Sequence, residues 1–175
     1  MQVRYARRAV RVADFADQPC NVARPIALLG EGWTLLVLRQ AFMGTRRFDD
    51  FQRSLGISRS LLAERLRRLV DAGILRREPY RDAARTRDQY RLTEKGLDLY
   101  PVLMALRAWS DKHEAPVEGP LVLYRHRGCG GLTETVHRCV GCGEELGARD
   151  VSPEPGPGMA SALAGAAGEP QSPAA

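Results

Sequence analysis

Along NVARPIALLG (21–30), apolar side chains recur at Val22, Ile26 and Leu29, the three- and four-residue steps of one helix face. Gly30 and Gly32 are expected to break that run. WTLLVLRQAFMG (33–44) is apolar nearly all round, the pattern of a buried central helix, and Gly44 stops it. FDDFQRSLG (48–56) predicts a short third helix with Phe48, Phe51 and Leu55 on one side. After Gly56 and Ile57, Ser58 is the N-cap of a longer helix over 59–73. Its inward stripe is Leu62, Leu66, Leu69 and Val70, and Gly73 ends it.

The period then switches from helix to strand. ILRREPY (74–80) and QYRLT (89–93) read as two short strands, joined by RDAARTRD (81–88), a polar stretch long for a tight turn. Thr93 caps a last helix over 94–114 with Leu99, Val102, Leu103, Leu106 and Trp109 as its stripe. Pro101 lies inside it and is expected to kink it. PLVLYRH (120–126) reads as a further strand. From Ser152 onward the chain is little but Pro, Gly, Ala and Ser, a composition that cannot bury enough apolar surface to order itself. The pattern divides the chain into an arm (1–19), a main domain (20–116), a small module (117–150) and a disordered tail (151–175).

Charge adds a partner class. The chain holds 26 Lys+Arg and 21 Asp+Glu. Residues 1–100 carry 20 basic and 12 acidic residues (+8), and residues 101–175 carry 6 and 9 (−3). A basic front half alone suggests a polyanion. The longest apolar run, WTLLVL, is far short of the roughly 18 residues of a membrane helix. The Arg-rich start has no apolar block, so no secretory signal is expected. The expectation is a cytoplasmic protein without a membrane partner, whose cysteines are reduced or metal-bound.

A short helix, a Gly-Ile-Ser turn, an Arg-bearing helix and a hairpin with a basic tip predict a winged helix-turn-helix. The expected fold class is therefore α+β: a mainly helical winged helix-turn-helix domain with a two-stranded wing, plus a small zinc-ribbon-like β module. A recognition helix shows one polar face to the major groove while the other packs on the domain. The helix wheel puts Ser60, Glu64, Arg67 and Arg68 opposite the leucine stripe, with Ser58 and Arg59 at the entering end. Arg81, Arg85 and Arg87 on the wing can reach the DNA backbone or minor groove, and Arg46 and Arg47 can anchor phosphate ahead of the third helix. Glu64 either accepts from a cytosine amino group or pairs with Arg67 or Arg68.

Cys20, LLGEGWTLLVLRQA (28–41), GTRRFDDF (44–51), GISRSLLAERLRRLVDAGILRRE (56–78), YRLTEKG (90–96) and the Trp109 helix together resemble the HxlR family of bacterial winged-helix regulators, relatives of the MarR group. The resemblance implies a homodimeric transcription factor on a palindromic operator, responding to a small-molecule or oxidant effector. It also raises Cys20 as a redox sensor, which Arg24 a turn away could assist. Asn21 and Gly32 depart from the family's usual Pro and Lys/Arg, and residues 120–150 lie outside the resemblance.

Two matching corners stand in that remainder. His126-x-x-Cys129-Gly and Cys139-x-x-Cys142-Gly have the spacing of zinc knuckles, which together would close a structural site of three cysteines and one histidine. His137 is the rival fourth ligand. Two other functions compete with DNA binding: a zinc or thiol enzyme using 126–142, and a protein-interaction adaptor. Four protein ligands leave zinc no open position for a substrate, so no catalytic residue is assigned.

Overall fold

The computed structural model describes residues 15–16, 18, 20–82 and 85–159. Most of the arm and residues 160–175 of the tail lie outside them. The main domain is built from α1 (Ala23–Leu29), α2 (Gly32–Phe42), α3 (Phe48–Leu55), α4 (Arg59–Asp71), β1 (Leu75–Asp82), β2 (Arg85–Leu92), α5 (Glu94–Leu97) and α6 (Tyr100–His113). Its core is one cluster: Val37, Leu38 and Ala41 from α2, Phe51 from α3, Ile57 from the turn, Leu62, Leu66 and Leu69 from α4, then Ile74 and Leu75. The α4 leucines are therefore where periodicity places them, whereas the helix expected to be apolar nearly all round buries one face, with Trp33 and the following Met43 exposed.

Local chemistry sets the boundaries. Gly56 closes α3 in the left-handed region (φ 64°), which a side-chain-bearing residue occupies only with strain. Ser58 then caps α4 through its hydroxyl, which accepts from the Leu61 N–H at 3.4 Å. Thr93 does more than cap. Its hydroxyl accepts from Gly96 N–H at 3.1 Å and donates to Gly73 O at 2.6 Å, and its own N–H reaches Ile74 O at 3.0 Å. Lys95 Nζ donates to Ala72 O at 2.8 Å, a cation on the carbonyl end of α4. A Cβ on Gly96 would run into the Ile74 carbonyl oxygen, so only glycine lets α5 lie this close to the chain leaving α4.

Several expectations are corrected. Gly32 does not break a helix; it opens α2. The strands are longer than their apolar parts, pairing antiparallel from Leu75↔Leu92 to Asp82↔Arg85. Arg81, Arg85 and Arg87 therefore lie in strands, not in a loop. Pro101 does not kink a single helix: the chain turns between α5 and α6, and Pro101 sits in the first turn of α6, where its missing N–H costs nothing. Residues 120–126 form no strand; the module's only ladder contacts among the described residues are the bridges Arg125↔Leu132 and Arg138↔Glu145.

Behind α4 lies a contact that the helix wheel did not foresee. Arg65 is buried at 7% exposure and forms an ion pair with Glu31, at the N-cap of α2. Arg68 Nη1 donates to the same carboxylate at 2.9 Å, while its Nη2 donates to Ala27 O at 3.0 Å. One carboxylate thus gathers two guanidiniums and ties α1, α2 and α4 together. Arg68 is consequently removed from the expected DNA face. Glu64 lies 3.5 Å from Arg65 Nη1 rather than pairing with Arg67 or Arg68. Glu31→Gln should leave both arginines short of charge and cost about 2–3 kcal/mol, below a fully buried pair because Glu31 is partly solvated. Urea unfolding measures it, and an unchanged midpoint would show that the clamp contributes nothing.

Candidate nucleic-acid interface

With Arg68 and Arg65 turned inward, the outward face of α4 is narrow. Arg59, Ser60, Ala63 and Arg67 are exposed, Ser58 is exposed at the cap, and Glu64 is only half-buried. Ala63 was not among the expected contacts. Its spacing from Ser60 and Arg67 is the signal that places it there, and a methyl at that position suits a thymine methyl.

The wing stands beside this face, and α3 supplies the joint. Asp49 in the first turn of α3 accepts from Arg59 Nη1 at 3.0 Å and from Arg87 Nη1 at 3.2 Å. Arg59 Nη1 also reaches Gln52 Oε1 at 2.8 Å, and its guanidinium lies 4.8 Å from the centre of the Phe48 ring. The Arg59 hydrogen bond, with smaller contributions from the charges of Arg59, Arg87 and Arg53, holds the Asp49 carboxyl below its usual value. A lowered carboxyl stays ionised until the pH falls through that lowered value, so the clamp is charged at neutral pH. Between these groups lies a cleft of about 400 Å³ lined by Phe48, Asp49, Arg59, Tyr80, Arg87 and Tyr90, among others.

The residues before α3 are bound into the wing. Tyr90 N–H donates to Arg46 O at 2.8 Å, Arg47 bridges to Gln89, and the Arg47 guanidinium lies 4.6 Å from the Tyr80 ring centre. Arg47, Arg81, Arg85 and Arg87 are exposed; Arg46 is half-buried. Toward the wing's base, Glu78 pairs with Arg76 at 2.8 Å and with Arg91, so one carboxylate holds two of the stem's arginines. Of the expected basic residues, Arg59 and Arg87 meet at Asp49 and Arg47 packs on the wing at Tyr80, whereas Arg68 turns to Glu31.

Cys20 belongs to neither α4 nor the wing. It is exposed just ahead of α1, and the Ala23 N–H donates to its sulfur at 3.4 Å. That bond and one from Val22 N–H hold the thiol below its ordinary value, with the Arg24 charge a smaller contribution. Arg24 itself donates to Asn21 Oδ1 at 3.0 Å.

The twin corners fold alike. Gly130 and Gly143 are both left-handed, at φ 74° and 78°. His126 and Cys129 place Nδ1 and Sγ 3.3 Å apart. The Cys142 and Gly141 N–H groups and the Cys142 side chain hold the Cys139 thiol below its usual value. Each corner thus presents two donors, but among the described residues no three His, Cys, Asp or Glu side chains converge on one metal position.

No helix among the described residues is long and apolar enough to cross a membrane. Comparison with known proteins agrees with the geometry. The HxlR-like helix-turn-helix family matches residues 28–118. An uncharacterized HTH-type transcriptional regulator of Mycobacterium tuberculosis (strain H37Rv) is 46% identical over 144 residues, covering 82% of this chain and 90% of the relative. The crystal structure of PA1607, described as a candidate transcription factor, superposes with a TM-score of 0.71 at 35% identity, covering 79% of this chain and 96% of that one. The oxidized form of HypR, described as a redox regulator, superposes with a TM-score of 0.50 at 28% identity over 55% of this chain and 100% of that one. The chain belongs to the HxlR-like helix-turn-helix family: it is a transcriptional regulator whose helix-turn-helix is its DNA-binding domain.

Proposed function

We propose that the protein binds a palindromic operator as a homodimer, reading bases with the front of α4 and gripping the backbone with the wing. The observation that carries this is the exposed Arg59, Ser60, Ala63, Arg67 stripe flanked by the Arg-bearing wing. The narrow stripe suits base edges, whereas arginines spread along a hairpin suit phosphate or a narrow minor groove.

The homodimer reading is supported by α6. No residue of α6 is buried within the chain. Leu99 and Leu103 pack on the core, but Val102, Leu106 and Trp109 are exposed at 44%, 52% and 57%, and Val22 and Ile26 of the α1 region are exposed as well. Exposed apolar side chains of this kind suit a two-fold interface. Light scattering at micromolar concentration should give twice the chain mass, and Leu106→Glu with Trp109→Glu should give the monomer. A wild-type monomer would refute the dimer.

An oxidant effector acting through Cys20 is the regulatory reading. It rests on the exposed sulfur with backbone N–H groups directed at it, in a chain similar to a protein described as a redox regulator. Diamide should lower operator affinity of the wild type and leave Cys20→Ser unchanged; equal loss in both would remove Cys20 from the response.

Salt titrations on operator and scrambled DNA test the contact assignment. Arg59→Ala should cost about 1–3 kcal/mol on operator and little on scrambled DNA. Arg81→Ala or Arg85→Ala should weaken both alike and reduce the salt slope by about one. Asp49→Asn should free Arg59 and Arg87 from their shared carboxylate and tighten binding to scrambled DNA more than to operator. Wing variants that lose only operator binding, with Arg59→Ala weakening both equally, would reverse the roles.

A further inference from the structure

Residues 117–150 have no core. Not one of their side chains is buried, and Val117, Leu121, Val122, Leu123, Leu132, Val136 and Val140 are all exposed. The segment nevertheless repeats one backbone design twice, bond for bond. In the first corner His126 N–H donates to Gly131 O at 2.8 Å and Gly130 N–H returns to His126 O at 2.8 Å; in the second, Cys139 N–H donates to Glu144 O at 2.9 Å and Gly143 N–H to Cys139 O at 2.8 Å. The flanking pairs also match, Thr133 N–H to Tyr124 O and Leu146 N–H to His137 O, at 3.0 and 2.8 Å. Even the arginine that precedes each corner repeats: Arg125 donates to Gly130 O and Arg138 to Gly143 O, at 2.9 and 3.4 Å. A small segment without buried apolar area needs another staple.

The corners are shaped to take one. A Cβ on Gly128 would lie 2.9 Å from the His126 ring, one on Gly131 would lie 3.3 Å from Cys129 Sγ, and one on Gly141 would lie 3.7 Å from Cys139 Sγ. Glycine keeps the backbone close under three of the four donors, His126, Cys129 and Cys139. The 3.3 Å between His126 Nδ1 and Cys129 Sγ is close to the N-to-S edge, about 3.5 Å, of a tetrahedron with Zn–N near 2.0 Å and Zn–S near 2.3 Å.

We propose that the two corners are half-sites of a single zinc ion, held by His126, Cys129, Cys139 and Cys142 in a closed tetrahedral structural site. The pairs stand apart in the structure, and the ion draws them together. Three thiolates and one imidazole select zinc over hard, oxygen-seeking cations, and each thiol gives up its proton on binding. His137 is not the fourth ligand: in the repeated design it is the counterpart of Tyr124, which lies outside its corner with its ring 5.0 Å from the Arg107 guanidinium. The site stands apart from the DNA reading and does not depend on it.

Full-length protein purified without chelator and dialysed against a weak competitor should retain one zinc per chain by elemental analysis. Exchange with cobalt(II) should give the intense visible absorption of tetrahedral coordination together with thiolate charge-transfer bands. Of the four cysteines, one, Cys20, should react rapidly with a thiol reagent, and all four after chelation. His126→Ala should weaken zinc binding at least about ten-fold, and His137→Ala should leave it unchanged. Metal-free protein with four freely reactive thiols, or with a Cys139–Cys142 disulfide, would overturn the site. So would loss of zinc from His137→Ala with retention in His126→Ala.

Discussion

The carboxylate of Glu31 is the point on which the DNA-facing geometry turns. A recognition helix must be held from behind while its front remains bare, and leucines alone fix its depth better than its rotation. Glu31 fixes rotation by engaging Arg65 and Arg68 on the rear of α4, and Arg68 carries the restraint on to the last turn of α1 through the Ala27 carbonyl. The cost is a guanidinium taken out of water, since Arg65 Nε and Nη1 have no hydrogen-bond partner among the described residues. Such a pair is a poor source of net stability but a strict geometric device, because the other carboxylate beside Arg65, Glu64, stands on α4 itself and cannot tie that helix to α2.

Asp49 does for the front what Glu31 does for the rear. Arg59 and Arg87 share its carboxylate, so the two arginines on either side of the cleft are drawn toward one point. On the proposed reading, phosphate competes with that carboxylate for either arginine, so affinity for arbitrary DNA falls, while a sequence that rewards Arg59 with a guanine edge recovers the difference. An acidic residue in a basic surface would then be a means of discrimination.

Much of this was legible in the chain. Gly56 and Ser58 mark the helix-turn-helix because a left-handed stop and a hydroxyl cap are chemically demanded there, and Leu62, Leu66 and Leu69 announce their face by spacing. The wing's length was not legible: both of its faces meet solvent toward the tip, so no alternation of apolar and polar residues records the pairing of Tyr80 with Arg87 or Arg81 with Thr86. Arg65 was missed for the opposite reason. It falls three residues after Leu62, on the inward face, but charge argues against burial unless the partner carboxylate, distant in sequence, is already known. LVL at 121–123 suggested a strand, yet among the described residues no neighbouring strand pairs with it, and apolar side chains alone do not make a ladder.

The joint at Thr93, Lys95 and Gly96 has a mechanical consequence. Thr93 bonds to the chain leaving α4, Lys95 closes α4's carbonyl end, and Gly96 lies against Ile74 with no room for a methyl group. The end of the recognition helix, the foot of the wing and α5 are therefore fastened together at one point, and α6 leaves that joint through the turn at Asp98 and Leu99. A force carried along α6 meets the reading helix through three short contacts and one turn of chain.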